Sequence, residues 1–146
     1  MANTLTHSPA RIIRQLLIDL GLGSNGGTWP VFYAMEPNAP DNCISVFDTT
    51  GTSDGRSMID GELFGHEGFQ VRVRARDHDT GWTKADAIQK GLAEDVSLET
   101  VTVASSRYTV YAVTRISDVL PLGRQVPQSM RSIFTINATL AVNQVA

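Results

Sequence analysis

Few residues of this 146-residue chain have the types and spacing that catalysis or metal binding requires. Asp77, His78 and Asp79 are adjacent, and His66 is a further candidate ligand or base. In an extended chain, however, His78 points away from both aspartates, because successive side chains alternate between faces. The sequence therefore favours a turn between a strand and a helix here. A small metal-dependent enzyme built on these residues is kept as an alternative function.

Two other patterns could indicate a reaction centre. Cys43 lies in a short apolar run without a histidine or acid at a useful spacing, so we interpret it as a buried, inert thiol. The glycines of 21–26 match a dinucleotide-binding pattern, but they follow a predicted helix and lead into a strand. That order is the reverse of the one that presents N–H groups to a pyrophosphate. We therefore predict no enzymatic activity, no catalytic residues, no metal and no cofactor.

Composition limits the class of protein. The chain is 42% hydrophobic and 18% charged with a net charge of −3, which is typical of a globular domain and unlike a nucleic-acid-binding one. No apolar run is long enough to span a membrane, and the N-terminal residues lack the apolar core of a signal peptide, so we expect neither membrane binding nor export. Arginine supplies 10 of the 12 basic residues, a preference found at protein interfaces.

The elements that would position any site are two helices and several strands. Ser8, Pro9 and Gly21 are start and stop signals for a first helix, and a second is predicted from about Thr83 to Leu92. Strands are predicted over 29–35, 43–49, 69–76, 107–116 and 130–142. This order predicts a single α+β domain over residues 1–146, with a mainly antiparallel sheet and two helices packed on one face.

The strand over 69–76 has the clearest alternation of apolar and polar residues in the chain. Its polar positions include Arg72, Arg74 and Arg76, which we predict to share one sheet face. Like charges at this spacing repel one another, so either the face is solvated or carboxylates neutralise it. We expect at least one of the three arginines to pair with a carboxylate of an adjacent subunit.

The segment over about 50–68 is predicted to be a long loop. It is rich in glycine, and loops of this length in compact domains are usually functional or disordered. It also carries apolar side chains that a solvated linker would not need: Met58, Ile59, Leu63 and Phe64. We expect it to project and to dock on a partner, although these side chains could also fold back on their own core.

Several segments together resemble a known family. Trp29–Tyr33, Pro40–Gly51, Gly68–Arg76 and Arg131–Asn137, in this order after one N-terminal helix, resemble segments of the tail terminator (minor capsid) proteins of long-tailed bacteriophages. The resemblance covers about residues 12–140 and depends on the order and spacing of the set.

This resemblance implies a structural virion protein made in the host cytoplasm. It would form a homo-oligomeric ring, a hexamer, that caps the tail tube. Its partners would be the tail tube protein and the head–tail connector or neck protein, and viral DNA would pass through the ring without specific binding. A head-completion or stopper protein of the neck is the alternative within the same biology.

Overall fold

The computed structural model describes residues 5–38, 40–56, 63–96, 98–125 and 131–145. They form an α+β fold, as predicted. No helix in these ranges is long and apolar enough to cross a membrane. The elements are α1 (Pro9–Asp19), β1 (Val31–Tyr33), β2 (Cys43–Arg56), β3 (Leu63–Ala75), α2 (His78–Lys90), β4 (Glu99–Val103), β5 (Ser106–Arg115), β6 (Leu120–Gln125) and β7 (Arg131–Val145).

The strands form one mixed sheet in the order β1-β2-β3-β7-β5-β4, and β6 also pairs with β7. β1 runs parallel to β2, with Val31 opposite Ile44, while the other described pairs are antiparallel. The prediction of a mainly antiparallel sheet therefore needs correction. Because β1 and β2 are parallel, they are not joined as a hairpin, and the chain must reverse direction between them.

The first helix forms where local signals place it. Ser8 caps α1 by accepting a hydrogen bond from the Arg11 N–H, and Pro9 occupies the first turn. At the other end Gly21 has a φ of 76°, and its N–H and that of Leu22 donate to the carbonyls of Ile18 and Leu17. This left-handed glycine cap ends the helix. The glycine-rich segment is thus a helix stop, as predicted.

The second helix begins earlier than the sequence suggested. Asp77 is the N-cap of α2 and accepts from the Thr80 N–H at 3.2 Å, while the Thr83 hydroxyl donates within the helix to the Asp79 carbonyl. The prediction of a helix start at Thr83 was wrong because Asp77 supplies an equivalent cap one and a half turns upstream. A π-helical turn, Gly91–Asp95, follows α2.

The core lies against the apolar face of β3. Phe69, Val71, Val73 and Ala75 are fully buried, as their alternation predicts. Full burial of a valine or phenylalanine side chain contributes about 1.5–3 kcal/mol to the free energy of unfolding. Phe69, Val71 and Val73 belong to a hydrophobic core that also contains residues of both helices and of other strands. These are Ile12, Ile13, Leu16, Leu17, Ile44, Val46, Ile88, Val101, Tyr108, Phe134, Ile136 and Leu140.

The predicted loop over 50–68 is largely a pair of strands. β2 continues to Arg56 and β3 begins at Leu63, and these two residues are opposite each other in the register. Residues 57–62 lie outside the described residues. The loop prediction was wrong for the rest because glycines such as Gly51 and Gly68 allow two backbones to approach closely. A Cβ on Gly51 would lie 2.2 Å from the His66 carbonyl oxygen.

The contact between α2 and Phe134 generates a test of the packing. A Cβ on Gly81 would lie 2.6 Å from Cε2 of buried Phe134 and 3.0 Å from Cβ of Ala75. Gly81→Ala should lower the free energy of unfolding by about 1 to 2 kcal/mol, because overpacking outweighs the gain in helix propensity. Urea denaturation measures this change. The double variant with Phe134→Leu should lose less than the sum of the single variants; simple additivity would contradict the contact.

Candidate functional site

Charged side chains converge on the sheet face opposite the core. Glu36, in the segment after β1, lies against two arginines of β3. Its carboxylate oxygens are 3.4 Å from Arg72 Nε and 3.8 Å from Arg74 Nη1. Arg74 also donates to the carbonyls of Pro40 at 2.7 Å and Asp41 at 3.3 Å. Only 2% of Arg74 is exposed, so this guanidinium is a buried group with several acceptors.

A second carboxylate extends the group toward the surface. Asp41 Oδ1 is 2.9 Å from Arg131 Nε, and Asp41 Oδ2 is 3.4 Å from Arg76 Nε. We call the four arginines with Glu36 and Asp41 the arginine cluster. Four guanidinium groups against two carboxylates leave an excess of positive charge, and the Arg76 side chain, 82% exposed, carries it outward.

The arginine cluster bears on the prediction that carboxylates neutralise Arg72, Arg74 and Arg76. All three have carboxylate partners within their own chain, so their mutual repulsion is relieved without a neighbour. The buried Arg74 guanidinium contacts Glu36, Pro40 and Asp41, all in the segment between β1 and β2. Pairing across a subunit boundary stays a prediction, and Arg76 is the member with an exposed side chain.

The apolar candidates fall at the end of the β2–β3 hairpin. Met58 and Ile59 lie outside the described residues. Leu63 and Phe64 open strand β3, opposite Arg56 and Gly55, but their side chains are outside the described part of the structure. Docking of these four residues on a partner stays a prediction.

The residues considered for catalysis or metal binding take part in packing and local contacts. Cys43 is buried, and burial raises the pKa of its thiol although nearby Arg74 acts in the opposite direction. His78 Nδ1 is 3.4 Å from Asp79 Oδ1, and the His78 ring packs 5.2 Å from that of Phe134. Within the ranges that the structure describes, no three His, Cys, Asp or Glu residues are grouped to hold a metal ion. The absence of enzymatic activity stays a prediction.

Three exposed aromatic residues were not among the predicted site residues. Tyr33, Trp82 and Tyr111 are all more than one-third exposed. Tyr33 ends β1, and the guanidinium carbons of Arg11 and Arg14 lie 5.5 and 6.0 Å from its ring centroid. The only sequence signal was the residue type, since tyrosine and arginine are enriched at interfaces. Of the three, only Tyr33 is on an edge strand, β1, whereas Trp82 is on α2 and Tyr111 is on β5.

Comparison with known proteins identifies the family. The sequence model of a family described as "Bacteriophage tail terminator protein" matches residues 16–143. This match places the chain among bacteriophage structural proteins. Within that class, the chain belongs to the tail terminator family, and the resemblance noted from the sequence is confirmed.

One solved structure shows a weaker similarity to this chain. A chain from a solved structure titled "Virion of native gene transfer agent (GTA) particle" is 14% identical, with a TM-score of 0.48 over 77% of this chain and 78% of that one. No curated protein matches the sequence.

Glu36 provides a test of the arginine cluster. Glu36→Gln removes the carboxylate shared by Arg72 and buried Arg74, and should lower the free energy of unfolding by about 1 to 3 kcal/mol, because Arg74 loses its counter-charge but keeps the Pro40 and Asp41 carbonyls. Thermal or urea unfolding measures it. The matched control is Asp118→Asn, which removes the exposed ion pair with Arg115 (3.4 Å) and should change little. Equal stability of the two variants would show that Glu36 does not hold the cluster.

Proposed function

We propose that this protein is the tail terminator subunit of a long-tailed phage-like particle. Six copies form a ring that caps the completed tail tube, stops its polymerisation and presents its other side to the head–tail connector. The family match over residues 16–143 carries this proposal. The protein acts in the virion, where the tail meets the head, after synthesis in the host cytoplasm.

A ring of identical subunits requires two different surfaces that fit each other, because each copy contacts its neighbours head-to-tail. The sheet has two ends that could serve, since β1 and β4 are at opposite ends of the strand order. A net charge of −3 also suits a ring through which DNA passes without being bound.

We infer that both helices cover the same face of the sheet. The Ala10 N–H of α1 donates to Asp48 at 2.9 Å, and Asp48 shares a face of β2 with buried Val46. α2 contacts Phe134, which is opposite Val73 in the register on that same face. The Gly81→Ala measurement therefore also tests the position of α2. This arrangement leaves the exposed part of the other face, where the Arg76 side chain lies, available to partners.

The β2–β3 hairpin supports the proposal of a projecting arm. Among the described residues, β3 pairs with β7 only over Glu67–Ala75, whereas its pairing with β2 continues to Leu63. The distal part of the hairpin is therefore a two-stranded ribbon, a structure that is marginally stable alone in water. Contact with a neighbouring subunit or the tail tube would stabilise it.

The ring function predicts a specific defect in particles that lack this protein. Without it, tube polymerisation should continue past the normal length, and heads should not join tails. Electron microscopy of particles made with and without the gene measures both effects, and a labelled copy should lie at the head-proximal tail end. Tails of normal length that fail only to join heads would instead indicate a stopper in the neck.

The arm predicts a separable loss of function. Replacing residues 53–65 with Asn-Gly joins Thr52 to His66, which are opposite each other in the register, by a two-residue turn. The variant should remain folded, with an unfolding transition close to that of the wild type, but should not complete tails. Circular dichroism is the control for folding. Normal tail length and head joining by this variant would contradict the arm.

A further inference from the structure

The β1 end of the sheet carries an open groove with cationic and apolar walls. Its volume is about 670 Å³, and its lining includes Arg11, Arg14, Asn25, Tyr33 and Met35. Tyr33 and Met35 are 38% and 52% exposed. Arginine, tyrosine and methionine are the residue types enriched at protein interfaces, where an apolar contact is surrounded by polar groups.

The two arginines of this groove are held in place but not neutralised. Arg14 donates to the Val31 carbonyl at 2.8 Å and to Asn25 Oδ1 at 3.1 Å, and both guanidinium groups lie near the Tyr33 ring. Neither forms an ion pair with a carboxylate in the described part of the chain. The groove therefore offers two ordered positive charges to an acidic partner.

The opposite end of the sheet carries the complementary features. Leu98, just before β4, is 64% exposed, and its φ of 61° is a left-handed conformation that leucine rarely adopts. Glu94 and Glu99 flank it. Residues 86–99 contain four carboxylates and one lysine, Lys90, which pairs with Asp86 at 2.9 Å. Neither Glu94 nor Glu99 forms an ion pair with the residues that the structure describes.

The positions of the two surfaces suit repeated association. β1 begins the strand order and β4 ends it, so the groove and the Leu98 knob, defined as Glu94, Leu98 and Glu99, lie at different edges of the sheet, although α1 packs against both edge strands. A patch that fits a different patch on an identical molecule generates a head-to-tail chain, which closes into a ring if the rotation permits.

We propose that the Leu98 knob of one copy docks in the β1 groove of the next copy. Leu98 packs against Tyr33 and Met35, while the glutamates face Arg11 and Arg14. The inference rests on the proposed ring and specifies its interface. DNA is the competing occupant of two arginines, but a single pair of cations on an acidic protein provides little attraction for a phosphate backbone.

Cysteine cross-linking tests the contact directly. The variant Met35→Cys/Leu98→Cys, oxidised at concentrations where light scattering detects oligomers of the wild type, should form a ladder of disulfide-linked multimers. Mixing the two single variants should give dimers only. Met35→Cys/Val145→Cys is the matched control, since Val145 is also an exposed apolar residue, 39% accessible, but lies outside both surfaces. Buried Cys43 should not react in any variant.

Charge reversal tests the electrostatic part. Arg11→Glu and Glu99→Arg should each weaken association by roughly tenfold, and the double variant should recover most of that loss. Arg107→Glu, an exposed arginine outside the groove, is the control and should leave association unchanged.

The outcomes separate the interface from the ring itself. A wild type that forms rings while the cysteine pair gives no ladder would overturn this interface and leave the proposed function standing. A wild type that remains monomeric at every concentration, again without a ladder, would overturn both. DNA binding by the wild type that is lost in Arg11→Glu, with oligomerisation unchanged, would assign the groove to nucleic acid and overturn the proposal.

Discussion

The arrangement of the sheet depends on neutralising one buried guanidinium. A charged group without partners in the interior costs several kcal/mol, so Arg74 requires acceptors on the side of the sheet away from the core. Glu36 and the carbonyls of Pro40 and Asp41 supply them, and all three belong to the segment between β1 and β2. Holding that segment over the sheet brings the chain back so that β2 starts beside β1 and runs parallel to it.

Features governed by neighbouring residues could be predicted from the sequence, and features governed by distant ones could not. The cap and stop of α1 depend on Ser8 and Gly21, which act within a turn of their own position. The burial of Arg74 depends on a segment more than 30 residues away, as the separation of 33 between Arg74 and Asp41 shows. The extended β2–β3 hairpin was missed for the same reason, because its glycines indicated a loop while cross-strand pairing determined its structure.

The same distinction applies to the candidate site. Arg72 and Arg74 lie on β3 and Arg76 follows it, but their carboxylate partners within the chain, Glu36 and Asp41, come from the segment between β1 and β2. Tyr33 and Leu98 were not among the predicted site residues, because a residue type does not reveal whether it will lie at the edge of a sheet. The family was nevertheless predictable, since the order of several segments carries more information than any one of them, and the match over residues 16–143 confirms it.

The outer edge of β1 bears on colloidal behaviour. The Val31 N–H donates to the Ser24 carbonyl at 3.0 Å, and the Val31 carbonyl accepts from Arg14 at 2.8 Å. Backbone groups at an open sheet edge usually template the addition of a foreign strand, the first step of fibrillar aggregation. Because the outward groups of Val31 are occupied and β1 is only three residues long, this edge offers a foreign strand little backbone to pair with. A contact between copies at this edge would therefore be made by side chains. Side chains can select one partner and fix the angle between two subunits, whereas strand addition can repeat without limit.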